Sequence, residues 1–362
     1  MNNFSILVFG ASFDPPHRYH IEILKSAIRE IKPSKVIIIP SFLSPFKASH
    51  FADYRHRREM IKMLLEKNNL KFQIDDFELK KKRKTYTYEL ARHLKNKHKK
   101  AVFYFLMGSD SYNLIKKWKR HKEVLKTFKI IVAQRKGYEI KNKKNILILK
   151  GKFPNLSSTQ IRNRILNDDY SLIDSSIKRY IKKNSLYFSE MIKDIKKIQT
   201  RKRFNHTIST TIGAIELSKI YKADTLKAAI AALLHDITKD MELSKQLKII
   251  KRSKMKVKDL EELSVKAPQI IHQWASAGYA KLKFKIKDKE ILSAISKHTT
   301  GDKKMSLLDK IIYIADIQAM DRNFKEVKMI RRLSLKSLRL AYNKAREAKM
   351  KYIRKKSGFI YE

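Results

Sequence analysis

Ile6-Leu7-Val8-Phe9-Gly10-Ala11-Ser12-Phe13-Asp14-Pro15-Pro16-His17-Arg18-Tyr19-His20 is the stretch on which the fold turns. It opens with an apolar run of strand length and ends where helical spacing begins. Gly10 and Ala11 let a backbone come close to a ligand, and Pro15 and Pro16 stiffen the turn. His17 and His20 are three apart and share a helical face. Both stand near a helix start, where free amides and the dipole favour anions. The plainer alternative is a helix start with two surface histidines. An eleven-residue pattern placed between a strand and a helix argues against it.

Outward from this stretch the first half alternates. Strand-like runs are expected at 35–39, 71–74, 101–107, 128–133 and 146–149, with a helix from Arg55 to Glu66. Strand–helix alternation predicts an α/β Rossmann-like unit, a parallel sheet with helices on both faces, over residues 1–188. Such sheets bind ligands beyond the carboxyl ends of their strands.

From about Ser189 onward the periodicity is helical, which predicts an all-α unit over residues 189–362 with no Gly/Ser linker before it. Every histidine after His121 falls in a helical segment or at a helix end: His206, His235, His272 and His298. His235 and Asp236 follow the apolar run Ala228-Ala229-Ile230-Ala231-Ala232-Leu233-Leu234, and Asp316 lies in the apolar Tyr313-Ile314-Ala315-Asp316. Charge buried in such places is costly unless paired or metal-bound. His and Asp suit iron, manganese or zinc. An isolated His-Asp pair is a weak signal, and the plainer alternative for His272 alone is an ordinary core or surface histidine. Four histidines and two such aspartates on an otherwise His-free background are stronger.

The 362 residues fit two domains at roughly 150 each. Hydrophobic residues at 43% suffice for packed cores, against wholesale disorder. With no cysteine, disulfides, Cys-ligated zinc, iron–sulfur clusters and thiol catalysis are excluded. The net charge of +48 invites a nucleic-acid reading. Lys, Ile and Asn are abundant throughout, however, as AT-rich coding would produce, and the basic runs are short and scattered. Specific nucleic-acid binding is therefore not expected. No apolar run approaches the ~20 residues of a membrane span, and Met1-Asn2-Asn3-Phe4 lacks signal-peptide character. A cytoplasmic protein without a membrane partner is expected; its oligomeric state is not legible.

The first stretch resembles the nucleotidyltransferase signature G-G-x-F-D-P-x-H-x-x-H. Residues 4 to 188 resemble the bacterial nicotinate-nucleotide adenylyltransferases. Further matches run in family order: Ser44-Pro45-Phe46-Lys47, Arg55 to Met60, Glu78, Thr85-Tyr86-Thr87, Gly108-Ser109-Asp110, Trp118 and Leu156-Ser157-Ser158-Thr159-Gln160-Ile161-Arg162. The resemblance implies adenylyl transfer from ATP to nicotinate mononucleotide, with Mg²⁺ and release of pyrophosphate. It implies catalytic roles for His17, His20, Lys47 and Arg162. Gly10, Ser12, Phe13, Asp110, Ser157, Ser158 and Thr159 would bind ATP or its phosphates, and Trp118, Thr85 and Tyr86 the pyridine nucleotide. Ala11 replaces the usual second glycine and would be strained at positive φ. Phe46 stands where histidine is common.

The pattern H…HD…H…H…D resembles the HD-domain metal phosphohydrolases. Residues 195 to 355 resemble more closely the bacterial YqeK-type symmetrical diadenosine tetraphosphate hydrolases. The matches are Arg203-Phe204-Asn205-His206-Thr207, Leu234-His235-Asp236-Ile237-Thr238-Lys239, His298-Thr299-Thr300-Gly301, and Ala315-Asp316 with Asp321-Arg322. The resemblance implies two divalent metals, iron or alternatively manganese. His206, His235, Asp236 and Asp316 would hold one; Asp236, His272 and His298 would hold the other. Lys239 would neutralise phosphate of a dinucleoside polyphosphate, and Thr299 to Gly301 would shape its pocket. Two alternatives remain open: an HD unit acting on a guanosine alarmone or deoxynucleotide, and a basic RNA-associated protein with a vestigial site. Intact ligand residues in both motifs argue against the second.

Overall fold

The structure is a computed structural model and describes residues 4–43, 50–135, 137–151 and 153–356. The chain divides into two compact units, Met1–Ser189 and Glu190–Glu362.

The first unit is built on six parallel strands: β1 (Ser5–Ala11), β2 (Lys35–Pro40), β3 (Gln73–Ile74), β4 (Val102–Gly108), β5 (Phe128–Ala133) and β6 (Ile146–Leu149). Their order is β3-β2-β1-β4-β5-β6. Strands β1, β2, β4 and, past the exposed Lys129, β5 are largely buried on both faces, so they read as apolar runs rather than as alternations. Ile6, Val8, Ile37, Phe103, Phe105 and Val132 pack on one side of the sheet. The helix Arg18–Ile31 buries Tyr19, Ile21, Ile23, Leu24 and Ala27. The chain leaves β1 for β2 on one side and returns to β4 on the other, so strand order reverses between β1 and β4. A crevice opens at that point in sheets of this kind. Gly10 and Gly108 both stand there, at the carboxyl ends of their strands.

Among the described residues the second unit contains helices and no strands. The helix Arg201–Ile220 begins at Thr200, whose hydroxyl accepts from the Arg203 amide. Thr225–Leu234 begins at Asp224, which caps Leu226 and Lys227. Ala228, Ala229, Ala231 and Ala232 are fully enclosed, and their small side chains let neighbouring helices approach closely. The remaining helices that matter below are His272–Lys283, Leu307–Ile317 and Leu338–Lys356. The α/β unit followed by an all-α unit agrees with the expectation from sequence. No helix among the described residues is long and apolar enough to cross a membrane.

Candidate active sites

In the first unit a cavity of about 840 Å³ opens at the β1/β4 crossover. Of the residues singled out from sequence, Gly10, Ser12, His20, Thr85, Tyr86, Asp110 and Trp118 line it. At Gly108 a Cβ would stand 2.5 Å from Asp110 Oδ1 and would force that carboxylate to shift. Ala11 closes β1 without positive φ, so the strain expected there is absent; it falls instead on Phe13, at φ 50°. Phe13 itself is a core residue, enclosed between Phe9 and His20 with ring centroids 5.4 and 5.1 Å away. Only its backbone remains to meet a ligand.

His17 does not share the helix with His20. It is the residue before the first turn, in extended conformation, and its ring lies 3.9 Å from that of His20. The His17 amide donates to His20 Nδ1 at 3.2 Å. That nitrogen is thus an acceptor, and the proton of neutral His20 rests on Nε2. His17 is almost fully enclosed. Burial, aided by the Arg135 charge, pushes its pKa down to about 3, and its Nδ1 has no hydrogen-bond partner.

Arg162 is not on the cavity wall. It is 8% exposed and donates to the Asp14 carbonyl and to Thr159 Oγ1, with its guanidinium 4.5 Å over the Phe51 ring. Ser158 Oγ donates to the Pro15 carbonyl at 3.0 Å, and Ser157 Oγ accepts from the Gln160 amide. The second motif therefore braces the loop of the first. Asp14 completes the brace: its buried carboxylate accepts from the amides of Phe51 and Ala52 and from the Tyr187 hydroxyl. Burial would raise its pKa, yet His50, Arg162 and the Phe51 amide hold it well below the usual carboxylate range. Lys47 and its neighbours Ser44, Pro45 and Phe46 lie outside the described residues.

Sequence reasoning missed two arginines. Arg135, just past β5, lines the cavity, pairs with Asp110 at 3.0 Å and stands 5.2 Å from the Tyr19 ring centroid. Its position at the carboxyl end of an apolar strand was the available signal. Arg57 is 1% exposed and donates to the carbonyls of Ser12, Phe42 and Ala52. It stands in helical phase with Met60, Ile61 and Leu64, an apolar face on which a cation needs explaining. Glu78, also on the cavity wall, is pushed up to about 7 by burial although the Phe42 amide bonds it.

In the second unit the six residues singled out as ligands converge. His206, His235 and Asp316 present atoms within 4.8 Å of one another, and so do His235, Asp236 and His298. Asp236 spans the cluster. Its Oδ2 lies 3.6 Å from His235 Nε2 and 4.0 Å from His206 Nε2, while Oδ1 lies 3.2 Å from Nε2 of both His272 and His298.

The imidazoles are fixed from behind. Nδ1 of His235, His272 and His298 contacts the carbonyls of Ala232, Gln269 and Ile295 at 2.6, 2.8 and 2.7 Å. A carbonyl only accepts, so these nitrogens carry the ring protons and each neutral ring turns a bare Nε2 inward. Nε2 of His272 and His298 are 3.2 Å apart, and His235 Nε2 has no hydrogen-bond partner. Burial pushes His235 down to about 3 and His272 to about 4. Burial opposes ionisation of Asp236 and Asp316, yet both are held well below the usual range. The Arg322 guanidinium on Asp316, and the Arg203 guanidinium and Lys239 ammonium on Asp236, supply charge that bare imidazoles cannot. Neutral imidazoles and ionised carboxylates are the forms that ligate metals. Acceptor atoms packed this closely repel one another, and a divalent cation relieves them. The donor set therefore fits divalent metal.

Four cations ring the cluster. Arg203 Nη1 donates to Asp236 Oδ2 at 2.8 Å, Lys239 Nζ lies 3.3 Å from the same oxygen, and Arg322 Nη2 donates to Asp316 at 2.9 Å. Lys239 is in the turn after the helix Thr225–Leu234. Lys349, from the last helix, was not legible as a member. The amides of Thr299 and Thr300 bond Gln273 Oε1, and Gly301 takes φ +72° where a Cβ would stand 2.9 Å from the Tyr342 hydroxyl.

A cytidylyltransferase-like family model matches residues 8–164, and an HD domain model matches residues 203–321. The chain is 29% identical over 347 residues to a Mycoplasma genitalium protein called "Probable nicotinate-nucleotide adenylyltransferase/Ap4A hydrolase", covering 93% of this chain and 95% of that one. A Mycoplasma pneumoniae protein of the same name is 28% identical, covering 96% and 98%. An Aquifex aeolicus protein called "Probable nicotinate-nucleotide adenylyltransferase" is 35% identical over 167 residues, 42% of this chain and 99% of that one. Sheet order, crossover cavity, bracing motifs and these likenesses agree: in its first unit the chain belongs to the nicotinate-nucleotide adenylyltransferase family of cytidylyltransferase-like domains, and its second unit is an HD domain.

Proposed function

We propose that the chain is a bifunctional enzyme. The first unit transfers the adenylyl group of ATP to nicotinate mononucleotide, and the second cleaves diadenosine tetraphosphate symmetrically to two ADP. The observation that carries the reading is the convergence of sequence-distant groups in each unit: a crossover cavity with His20, Arg135 and Trp118 on its wall, and a buried cluster of four imidazoles and two carboxylates.

In the first reaction the mononucleotide phosphate attacks the α-phosphorus of ATP, and the bond to the pyrophosphate oxygen breaks. No protein nucleophile is needed; positioning and charge stabilisation supply the rate. His20 offers an Nε2–H donor and Arg135 a guanidinium to the triphosphate, while Gly10 and Ser12 bring the backbone close. Trp118 offers a ring face to the pyridine, with Tyr86 and Thr85 nearby. Asp110 fixes the Arg135 fork. Arg162, with Ser157, Ser158 and Thr159, acts by bracing the His17 loop. Lys47 adds a cation to the phosphates, and Mg²⁺ enters with ATP.

In the second reaction water adds to an inner phosphorus and the central P–O bond breaks, so one ADP leaves and the other retains the new oxygen. His206, His235, Asp236 and Asp316 would hold one divalent ion, and Asp236, His272 and His298 a second; the resemblance gives iron or alternatively manganese, and the imidazoles suit iron while the carboxylates suit manganese. When bound, such ions supply Lewis acidity and water activation. Asp236 stands between the two groups of imidazoles, and Lys239 offers its ammonium to the phosphate chain.

The test is to incubate the full chain with diadenosine tetraphosphate and Mn²⁺ or Fe²⁺ and resolve the products by ion exchange. ADP alone is expected; ATP with AMP contradicts symmetrical cleavage. Intact substrate on a metal-loaded chain moves the second site to another phosphoester. Pyrophosphate release from ATP with nicotinate mononucleotide, compared with the nicotinamide form, tests the first.

A further inference from the structure

Lys349 stands apart from the other cations of the metal cluster. It lies on the helix Leu338–Lys356, far along the chain from every residue assigned to the site. Its ammonium donates to the Thr299 carbonyl and sits 5.1 Å from the centroid of the Tyr313 ring. Both contacts adjoin the cluster. Thr299 follows His298, and its hydroxyl lies 2.9 and 3.1 Å from Nε2 of His298 and His272. Tyr313 is three residues, about one helical turn, before Asp316.

Arg203, Lys239 and Arg322 each have a carboxylate beside them. Among the described residues no carboxylate lies within 4.0 Å of the Lys349 ammonium. The side chain is half-buried along its length, but the ammonium is desolvated, which lowers its pKa to about 8; the field of Asp316, and less that of Asp236, supports its charge, while those of Lys239 and Arg322 oppose it. A carbonyl and a ring face are weak substitutes for the water that an ammonium gives up. Two divalent ions would bring four positive charges against the carboxylates of Asp236, Asp316 and, behind His206, Asp321. The cation without a counter-ion would then face a positive centre, and an anion would relieve both.

We propose that Lys349 is a catalytic residue of the second site: it contacts the phosphate chain of the substrate directly, on the Thr299 side of the metals. This rests on the reading of the second unit as a metal-dependent phosphohydrolase. It gives the last helix a chemical task that its sequence does not announce.

The test uses the full chain loaded with Mn²⁺, with inorganic phosphate as the probe and calorimetry as the readout. Lys349→Met is expected to weaken phosphate binding about tenfold and to lower kcat/KM for diadenosine tetraphosphate at least as much, as loss of a charge-assisted hydrogen bond would. Lys349→Arg should recover part of both. Manganese content by elemental analysis and adenylyl transfer should not change. Unchanged phosphate affinity and kcat/KM would overturn the proposal, and so would loss of manganese, which would make Lys349 a support of the metal cluster. If Lys349→Met fails to fold, Lys349→Gln carries the same measurement. If the unaltered chain leaves diadenosine tetraphosphate intact, the polyphosphatase reading falls, and the phosphate titration still decides the role of Lys349.

Discussion

His17 is held neutral by its surroundings, and this has a measurable consequence. Its folded-state pKa of about 3 lies below the unfolded value near 6.5, so between those values the unfolded chain binds more protons. Its contribution to stability is therefore present above pH 6.5 and lost as pH falls towards 3, at up to about 1.4 kcal/mol per pH unit. Replacing it by glutamine removes that slope. Urea unfolding at pH 7 and pH 5 should show the unaltered chain losing stability relative to His17→Gln; parallel losses would contradict a buried neutral imidazole. Trp118 gives a second test. It packs edge-on to Phe105 at 6.5 Å while still lining the cavity. Stacking on a base is worth roughly 1–3 kcal/mol. Trp118→Ala should raise KM for nicotinate mononucleotide about tenfold while KM for ATP changes far less. Equal changes in steady-state kinetics would rule out stacking.

The loop Ser12–His17 is held by parts of the chain far from it. Arg162 and Ser158 take its carbonyls, Arg57 takes that of Ser12, and Tyr187 takes the Asp14 carboxylate at 2.9 Å. Tyr187 and Phe188 adopt φ of 55° and 62°, a left-handed conformation that costs non-glycine residues about 1 kcal/mol or more each. Removing one partner of a buried ionic contact leaves the other uncompensated, so Arg162→Met should cost about 3 kcal/mol in urea unfolding. Tyr187→Phe should cost about 1–2 kcal/mol. Equal stability in both variants would mean that the brace is ornamental. This is also where sequence legibility ends. Strands β1, β2 and β4 were readable because double-sided burial leaves long apolar runs, and β5 because Ile130 to Ala133 do the same after the exposed Lys129. The ligand cluster was readable because polar residues are conspicuous in apolar helices. Arg135 and Lys349 were not, since a surface lysine or arginine and a functional one look alike in a chain with 83 of them. Arg162 was readable as important, but its carbonyl bonds depend on a loop 148 residues away.

In the chain as a whole, two chemistries occupy two compact units. The first requires a crevice in a parallel sheet, the second a rigid nest of helices that aims imidazoles inward. Both handle phosphate, and the charge of +48 favours polyanionic ligands at either site without choosing between them. Each site draws its side chains from its own unit, so the two reactions should be separable by single substitutions. The most direct measurement is a crossed assay of two full-length variants. His20→Ala should lower adenylyl transfer by about 10²–10³-fold and leave cleavage of diadenosine tetraphosphate unchanged. Asp236→Ala should lose bound metal, seen by elemental analysis, and cleavage, with transfer unchanged. Loss of both activities in either folded variant, or full metal content in Asp236→Ala, would contradict the account.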